Sequence, residues 1–288
     1  MHILVVGAGK PLGARIAVDL AAEGHRVLAT RRSSFGEDER LLAAGVELAE
    51  LDVSDTIAVR MAAKDIDAAV LTPILSMAAN AIAELAGAGV SRGVAFSSNN
   101  VAITPEDAVY RSLAAAEQQV MEAAPNWAIL RPTMIYGHPG DGNFSRLLRH
   151  ASKWPVLPVP GTAKALQQPI HIDDLVRLAA GLVTQRLALS GRLPVGGPDT
   201  LPQWDVVRIA CRAVGGSCTP VQVPLAPLNA WVGLGLPSPV GAAQLARVEL
   251  DKGAVGQPDL PHDFAPRVGI EAGLAALSAA MGLTPQGR

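Results

Sequence analysis

Short apolar runs alternate with longer amphipathic segments along the first 131 residues, and this alternation predicts the secondary structure. The runs are bounded by glycine, proline or polar residues, as buried parallel strands are. Between them, apolar residues recur every three or four positions, which is typical of helices packed on a sheet. Strands that alternate with helices predict an α/β fold with a doubly wound parallel sheet. The predicted strands are 2–6, 26–30, 46–51, 67–72, 93–97 and 126–131.

A glycine-rich turn follows the first predicted strand. Its spacing is G-x-G-x-x-x-G, which allows the backbone to turn tightly and to come close to a pyrophosphate. Proline suits the first position of the following helix, because no N–H donor is needed there. The N-terminal amides of that helix would point at the phosphate. The candidate cofactor-binding residues of this stretch are Gly7, Gly9, Lys10, Pro11, Leu12 and Gly13.

Two arginines stand where a nucleotide site usually has an acid at the end of its second strand. In NAD-binding folds a carboxylate about 20 residues after the glycines binds the adenosine ribose. Here the sequence reads Thr30-Arg31-Arg32. A guanidinium can hold a 2′-phosphate with paired hydrogen bonds, whereas a carboxylate would repel it. We therefore expect NADP as the cofactor and NAD as the alternative; simple solvation of one or both arginines is the other interpretation.

The glycine turn resembles that of the short-chain dehydrogenase/reductase superfamily, in its extended and atypical branches. These branches favour G-x-x-G-x-x-G, whose outer positions match Gly7 and Gly13, while Lys10 replaces the middle glycine. The segments 130–137 (LRPTMIYG) and 168–175 (QPIHIDDL) are also similar to segments of these branches. The resemblance covers nearly the whole chain and implies a Rossmann fold. It extends to epimerase/dehydratase-like, NmrA-like and complex I accessory-subunit-like proteins.

The resemblance implies three further groups of cofactor contacts, each at the end of a predicted strand. After the third strand the superfamily contacts the adenine. After the fourth strand its chain passes over the cofactor ribose, and after the sixth it runs along the nicotinamide. The corresponding residues are Asp52 and Val53, Thr72 and Pro73, and Pro132 and Thr133.

Catalysis in the superfamily depends on a Tyr-x-x-x-Lys pair on one helix face and on a serine after the fifth strand. Ser97, Ser98 and Tyr110 hold the corresponding positions and are the candidate catalytic residues. Ala114 stands where the lysine should be, and it can do none of the lysine's work. Thr104, followed by proline, is predicted to cap the helix that carries the tyrosine.

The rest of the chain is predicted to form a smaller, mostly helical C-terminal substrate lobe. Residues 144–152 read as an amphipathic helix, and 270–281 as a final helix. The apolar, proline-punctuated stretch 221–245 could pack within the lobe, wall a substrate pocket, face a partner or lie on a membrane surface. The predicted organisation is a dinucleotide-binding core over 1–136 and mainly the substrate lobe over 137–288, with some segments returning to the core.

Composition and charge narrow the classes of function. The net charge of −2 over 288 residues gives no electrostatic reason to bind nucleic acid. No run of 18 apolar residues lacks charge or proline, so we expect no transmembrane segment. The N-terminus enters the first predicted strand at once, so we expect no signal peptide and a cytoplasmic location. The two cysteines, Cys211 and Cys218, are expected to be reduced thiols. No metal site is expected, because the His171 to Asp174 segment has no complementary ligand.

Two functions remain open. The first is an NADP-dependent oxidoreductase for a small, fairly apolar carbonyl-type substrate, with epimerase or dehydratase chemistry as a variant. The missing lysine motivates the second, a non-catalytic NADP(H)-binding redox sensor or scaffold protein. Fold does not decide between them. The superfamily often dimerises through the helices beside the tyrosine, so a homodimer is one option for the assembly.

Overall fold

The computed structural model describes residues 1–32, 38–216, 218–234 and 245–283. The chain divides into two compact units. The first unit comprises Met1–Pro132, Ile172–Val195 and Ala254–Pro266. The second comprises Thr133–His171, Gly196–Gly253 and Arg267–Arg288.

Strands and helices alternate through the first 132 residues, as the apolar pattern predicts. The elements are β1 (His2–Val6), α1 (Pro11–Ala22), β2 (Arg26–Arg31), α2 (Asp38–Ala43), β3 (Glu47–Glu50), α3 (Thr56–Ala62), β4 (Ala68–Leu71), α4 (Leu75–Gly87), β5 (Gly93–Phe96), α5 (Asn100–Ile103), α6 (Ala108–Ala123) and β6 (Ala128–Pro132).

The remaining elements belong to both units. They are β7 (Ile135–Tyr136), α7 (Phe144–Lys153), β8 (Val156–Pro160), β9 (Leu166–Gln167), β10 (Ile170–His171), α8 (Ile172–Val183), β11 (Gly191–Val195), β12 (Leu201–Pro202), α9 (Gln203–Ala213), β13 (Thr219–Val223), α10 (Leu225–Gly233) and α11 (Ile270–Ala280). Of these, α8 and β11 lie in the first unit.

A seven-stranded parallel sheet forms the first unit, in the order β3-β2-β1-β4-β5-β6-β11. Every residue of β4 and β5 is buried, because the sheet has helices on both faces and its central strands meet no water. The strand order reverses between β1 and β4, and ligands of such sheets bind outside the carboxyl ends of the strands at this switch point. The predicted doubly wound parallel fold is confirmed.

Small apolar residues let the helices of the first unit lie close to the sheet. Alanines of α4 and α6 are buried in a core cluster that also contains Leu85, Leu113 and Ile129. Trp127 lies in this cluster with no exposed surface, and its indole N–H donates to the carbonyl of Val90 at 3.3 Å. The cluster fixes α6 against the sheet, and α6 carries the candidate tyrosine.

The second unit is built from small strand pairs and three packed helices. The strands pair as β7 with β10, β8 with β13, and β9 with β12. Helices α7, α9 and α11 share an apolar core around Tyr136, whose ring centroid lies 5.2 Å from that of Phe144 and 5.1 Å from that of His171. Among the helices in the described part of the chain, none is long and apolar enough to cross a membrane.

The structure bears on three further features that the sequence singles out: the cap of α6, the two cysteines and the apolar stretch 221–245. The cap of α6 is Asp107, whose carboxylate accepts from the N–H of Val109 at 2.9 Å, so the prediction for Thr104 was wrong. Thr104 instead ends the short helix α5. Cys211 and Cys218 are free, buried thiols with their Sγ atoms 2.6 Å apart. Of the apolar stretch 221–245, residues 235–244 lie outside the described residues.

Candidate functional site

The turn after β1 is shaped so tightly that only glycine fits its first position. Gly7 has a φ of +90°, and a Cβ there would overlap the hydroxyl oxygen of Thr72. The N–H groups of Gly7 and Ala8 both donate to the carbonyl of Thr30, each at 3.0 Å. These two hydrogen bonds hold the turn at the carboxyl end of β2, next to Arg31 and Arg32.

Helix α1 passes directly over this turn. A Cβ on Gly13 would lie 2.6 Å from the carbonyl oxygen of Gly7 and 2.9 Å from its carbon, which is closer than real side chains approach backbone. Within the described residues, no side chain caps α1 and its first turn holds no acid. The first N–H groups of a helix need an outside acceptor, and a phosphate is a suitable one. Gly7, Gly9 and Lys10 thus lie between β1 and α1, and Pro11, Leu12 and Gly13 begin α1.

The end of β4 joins the same turn. The Thr72 hydroxyl donates to the carbonyls of Val6 and Gly7, at 3.0 and 3.3 Å, and its N–H donates to Val6 at 3.1 Å. Pro73 follows, and its ring would lie 3.1 Å from a Cβ on Gly7. The predicted residues Thr72 and Pro73 therefore lie against the glycine turn.

Arg31 is held by an acid that sequence reasoning missed. Its Nε and Nη2 atoms donate to the two carboxylate oxygens of Asp38, at 2.8 and 2.7 Å. These hydrogen bonds raise the pKa of Arg31 above its usual value, against the opposing effect of burial. Asp38 opens α2, and the only sequence signal for it is an acidic helix start seven residues after the arginine.

Arg32 and Asp52 lie in the same region, at the ends of β2 and β3. Asp52 accepts hydrogen bonds from the N–H and the hydroxyl of Ser54, at 2.9 and 2.7 Å. These bonds hold the pKa of Asp52 below its usual range, and the positive charge of Arg32 adds to the effect. The side chain of Val53, by contrast, is buried in the core cluster of the first unit.

Ser97 belongs to a buried cluster of charges. Its hydroxyl donates to Glu117 Oε1 at 2.6 Å, and Glu117 has no exposed surface. Arg131 pairs with both carboxylate oxygens of Glu117, and Arg192 Nε donates to one of them at 3.0 Å. The hydroxyl of Ser97 is therefore engaged in a contact that ties β5, β6, β11 and α6 together.

Ser98 and Tyr110 are linked through Asn100, which sequence reasoning also missed. The Nδ2 atom of Asn100 donates to the hydroxyl oxygen of Tyr110 at 2.8 Å. The N–H of Asn100 donates to Ser98 Oγ at 3.2 Å. The small side chain of Ala114 packs against the core cluster one turn along α6. The sequence signal for Asn100 is its place in the polar run that follows β5.

The two residues at the end of β6 fall into different units. Pro132 closes the strand, and its carbonyl accepts from the N–H of Asn99 at 3.0 Å. Thr133 begins the second unit, where its hydroxyl donates to the carbonyl of Gln168. Pro132 thus lies beside the loop that carries Ser98 and Asn100.

Comparison with known proteins gives a family and a fold. A family model described as NAD(P)H-binding matches residues 7–153. A comparison with curated proteins gave no match.

Three solved structures are similar over nearly the whole chain. A UDP-glucose 4-epimerase from Thermotoga maritima, with UDP-glucose, has 14% identity and a TM-score of 0.69, over 98% of this chain and 99% of that one. A UDP-glucuronic acid 4-epimerase from Bacillus cereus, with UDP-glucuronic acid and NAD, has 16% identity and a TM-score of 0.71, over 98% and 99%. A dTDP-glucose 4,6-dehydratase from Bacillus anthracis, with NAD, has 12% identity and a TM-score of 0.69, over 99% and 98%. At identities this low, the similarity of these structures shows the fold alone.

Proposed function

The chain belongs to the NAD(P)H-binding family, and on that basis we propose that it uses NADPH to reduce a small, fairly apolar carbonyl-type substrate. The observation that carries the proposal is the hydrogen bond between Asn100 and Tyr110, which holds the phenol of α6 in one orientation against the start of α5. Epimerase or dehydratase chemistry at the same residues is a variant, and such chemistry is named for the structurally similar proteins.

The glycine turn is where the dinucleotide would bind. The close contacts of Gly7 with Thr72 and of Gly13 with Gly7 leave bare backbone for a pyrophosphate to approach. The uncapped first turn of α1 supplies amide donors to the same anion. Thr72, Pro73 and Pro132 would bound the ribose and nicotinamide, and Asp52 with Val53 the adenine.

The arginines at the end of β2 support NADP over NAD. Arg31 and Arg32 directly follow Thr30, whose carbonyl is bonded to the turn. A 2′-phosphate would meet two guanidinium groups there, and each is a suitable donor to a dianion. The pairing of Arg31 with Asp38 works against this preference, and NAD remains the alternative cofactor.

Tyr110 is the residue to which we assign proton transfer. The Asn100 amide donates to its hydroxyl oxygen, so the phenol is held in one orientation without the lysine of the superfamily. Tyr110 would donate its proton to the carbonyl oxygen of the substrate. When bound, NADPH would supply the hydride. Ser98 lies in the loop after β5, next to Asn100 in space, and would bind the carbonyl oxygen of the substrate. The hydroxyl of Ser97, by contrast, donates to Glu117.

A turnover assay tests the catalytic part of the proposal. Purified protein with NADPH is offered aldehydes, ketones, enones and quinones, and oxidation of the nicotinamide is followed by absorbance. With any substrate that reacts, Tyr110→Phe should lower kcat by a factor of about 100 or more, as expected for loss of a general acid. Ser112→Ala is the matched control, because it removes an exposed hydroxyl from the same helix. Unchanged kcat in Tyr110→Phe would remove Tyr110 from the mechanism.

The alanine at position 114 favours a second candidate function, a non-catalytic NADP(H)-binding sensor or scaffold. The cationic lysine that binds the nicotinamide ribose in the superfamily has no counterpart on this face of α6. The two functions separate cleanly in the same experiment. Binding of NADPH without reduction of any member of the panel favours the sensor, and turnover that depends on Tyr110 favours the enzyme.

A further inference from the structure

The ion pair between Arg31 and Asp38 occupies the guanidinium that would recognise a 2′-phosphate. The pair is bidentate, through Nε and Nη2, and the two side chains are only 13% and 20% exposed. A carboxylate that is largely removed from water and doubly bonded is a strong competitor for the same donors. Any 2′-phosphate must share Arg31 with this carboxylate or displace it.

The charges around Arg31 reinforce that competition. Glu50 of β3 lies opposite Arg31 in the strand register, and its charge acts on the guanidinium. Arg32 interacts electrostatically with Asp52. Among the described residues, Arg31 therefore interacts with the carboxylates of Asp38 and Glu50, and Arg32 with that of Asp52. Because a 2′-phosphate carries up to two negative charges, these carboxylates weaken the attraction that the two arginines exert on it.

We propose that Asp38 is a specificity-determining residue, which limits the preference of this site for a 2′-phosphate by holding Arg31. With Asp38 in place, the preference for NADP(H) over NAD(H) is smaller than Arg31 and Arg32 alone would give. Without Asp38, Arg31 turns its paired donors to the phosphate and that preference increases. The inference rests on the proposed nucleotide site, and it concerns which cofactor that site selects.

Binding of two adenosine nucleotides isolates the effect of the 2′-phosphate. The dissociation constants of 5′-ADP and 2′,5′-ADP are measured by titration calorimetry on the full chain and on Asp38→Asn. The ratio of the two constants should shift about tenfold toward 2′,5′-ADP in the variant, since a charge-assisted competitor is lost. Asp38→Ser serves as a second variant if the first is poorly folded, and circular dichroism verifies the fold of each.

Matched variants separate hydrogen bonding from simple charge. Glu50→Gln removes one nearby negative charge and keeps the bidentate partner of Arg31. The ratio of the two dissociation constants should therefore change much less than in Asp38→Asn. Glu47→Gln breaks the pair of Arg26 and Glu47, which joins the same two strands at their other ends, and should leave the ratio unchanged. In an Arg31→Leu background, Asp38→Asn should lose most of its effect.

The outcomes distinguish this inference from the proposed function. If 5′-ADP and 2′,5′-ADP both fail to bind the parent protein, the nucleotide site itself is wrong and the inference falls with it. If both bind and the ratio is unchanged or falls in Asp38→Asn, the inference alone is overturned. In that case Asp38 orients Arg31 for the phosphate or has no role in selecting it.

Discussion

The side-chain nitrogen of Asn100 lies 2.8 Å from the hydroxyl oxygen of Tyr110. The two residues come from consecutive helices, α5 and α6, and the contact joins the loop after β5 to the helix that carries the tyrosine. An uncharged amide is therefore a partner of the phenol in a chain with alanine at position 114. The Tyr110 hydroxyl oxygen therefore accepts a hydrogen bond from the neutral amide of Asn100.

The strength of this contact can be measured without a substrate. A double-mutant cycle with Asn100→Ala and Tyr110→Phe should give a coupling free energy of about 0.5–1.5 kcal/mol, the usual range for one neutral hydrogen bond. Urea unfolding of the four proteins provides the values. The cycle of Ser112→Ala with Tyr110→Phe should be additive, because the Ser112 hydroxyl donates to the carbonyl of Val109 instead. Additivity in both cycles would show that the Asn100 contact contributes nothing.

Removal of the carboxylate at position 117 should be strongly destabilising. Glu117 is fully buried and bonded to two arginines and to Ser97. In Glu117→Gln the arginines keep their charge and lose their partner, so we expect a loss of about 3 kcal/mol in the free energy of unfolding. Glu122→Gln is the control on the same helix, since Glu122 is exposed and bonded only to Gln118 among the contacts described. A loss below about 1 kcal/mol would contradict a structural role for the cluster.

Two helical glycines should respond oppositely to alanine. Gly13→Ala places a methyl group 2.6 Å from the carbonyl oxygen of Gly7, so α1 and the turn must separate. We expect a loss of about 1–3 kcal/mol in stability and a weaker affinity for 5′-ADP. Gly87→Ala has open space around its Cβ and should gain up to about 1 kcal/mol from helix propensity. Equal stability of the two variants would contradict the close approach of α1 to the turn.

The buried thiol of Cys211 should make the free energy of unfolding decrease with rising pH in the alkaline range. Burial, together with the neighbouring Cys218, raises the pKa of Cys211 to about 12. The folded state keeps the thiol neutral, whereas the unfolded chain ionises near pH 9. The contribution of the neutral Cys211 thiol to the free energy of unfolding is therefore fully present below pH 9. It is lost as the pH rises toward 12, with a slope of at most about 1.4 kcal/mol per pH unit. Urea unfolding between pH 8 and pH 10.5, with a reductant present, should show a steeper decline for the parent than for Cys211→Ala. Parallel curves would refute the shift.

Local sequence patterns were sufficient for most of the fold. The predicted strands agree with β1 to β6 to within two residues at each end. The central strands β4 and β5 are apolar along their length because they are buried on both faces. The glycine turn was predictable for a similar reason. Gly7 and Gly13 occupy positions where a side chain would collide with neighbouring atoms, and that requirement is written into residue type and spacing.

The partners of the candidate site residues were decided only by the tertiary structure. Ser97, Tyr110 and Arg31 could be singled out from the chain, but their contacts with Glu117, Asn100 and Asp38 could not. Side-chain pairing depends on which loops and helix ends are close in space, and the periodicity of apolar residues along the chain does not predict it. Residue type and spacing along the chain were enough to predict a parallel α/β fold with a glycine turn for a nucleotide. The packing of α2, α5 and α6 decided which polar groups hold the arginine, the serine and the tyrosine.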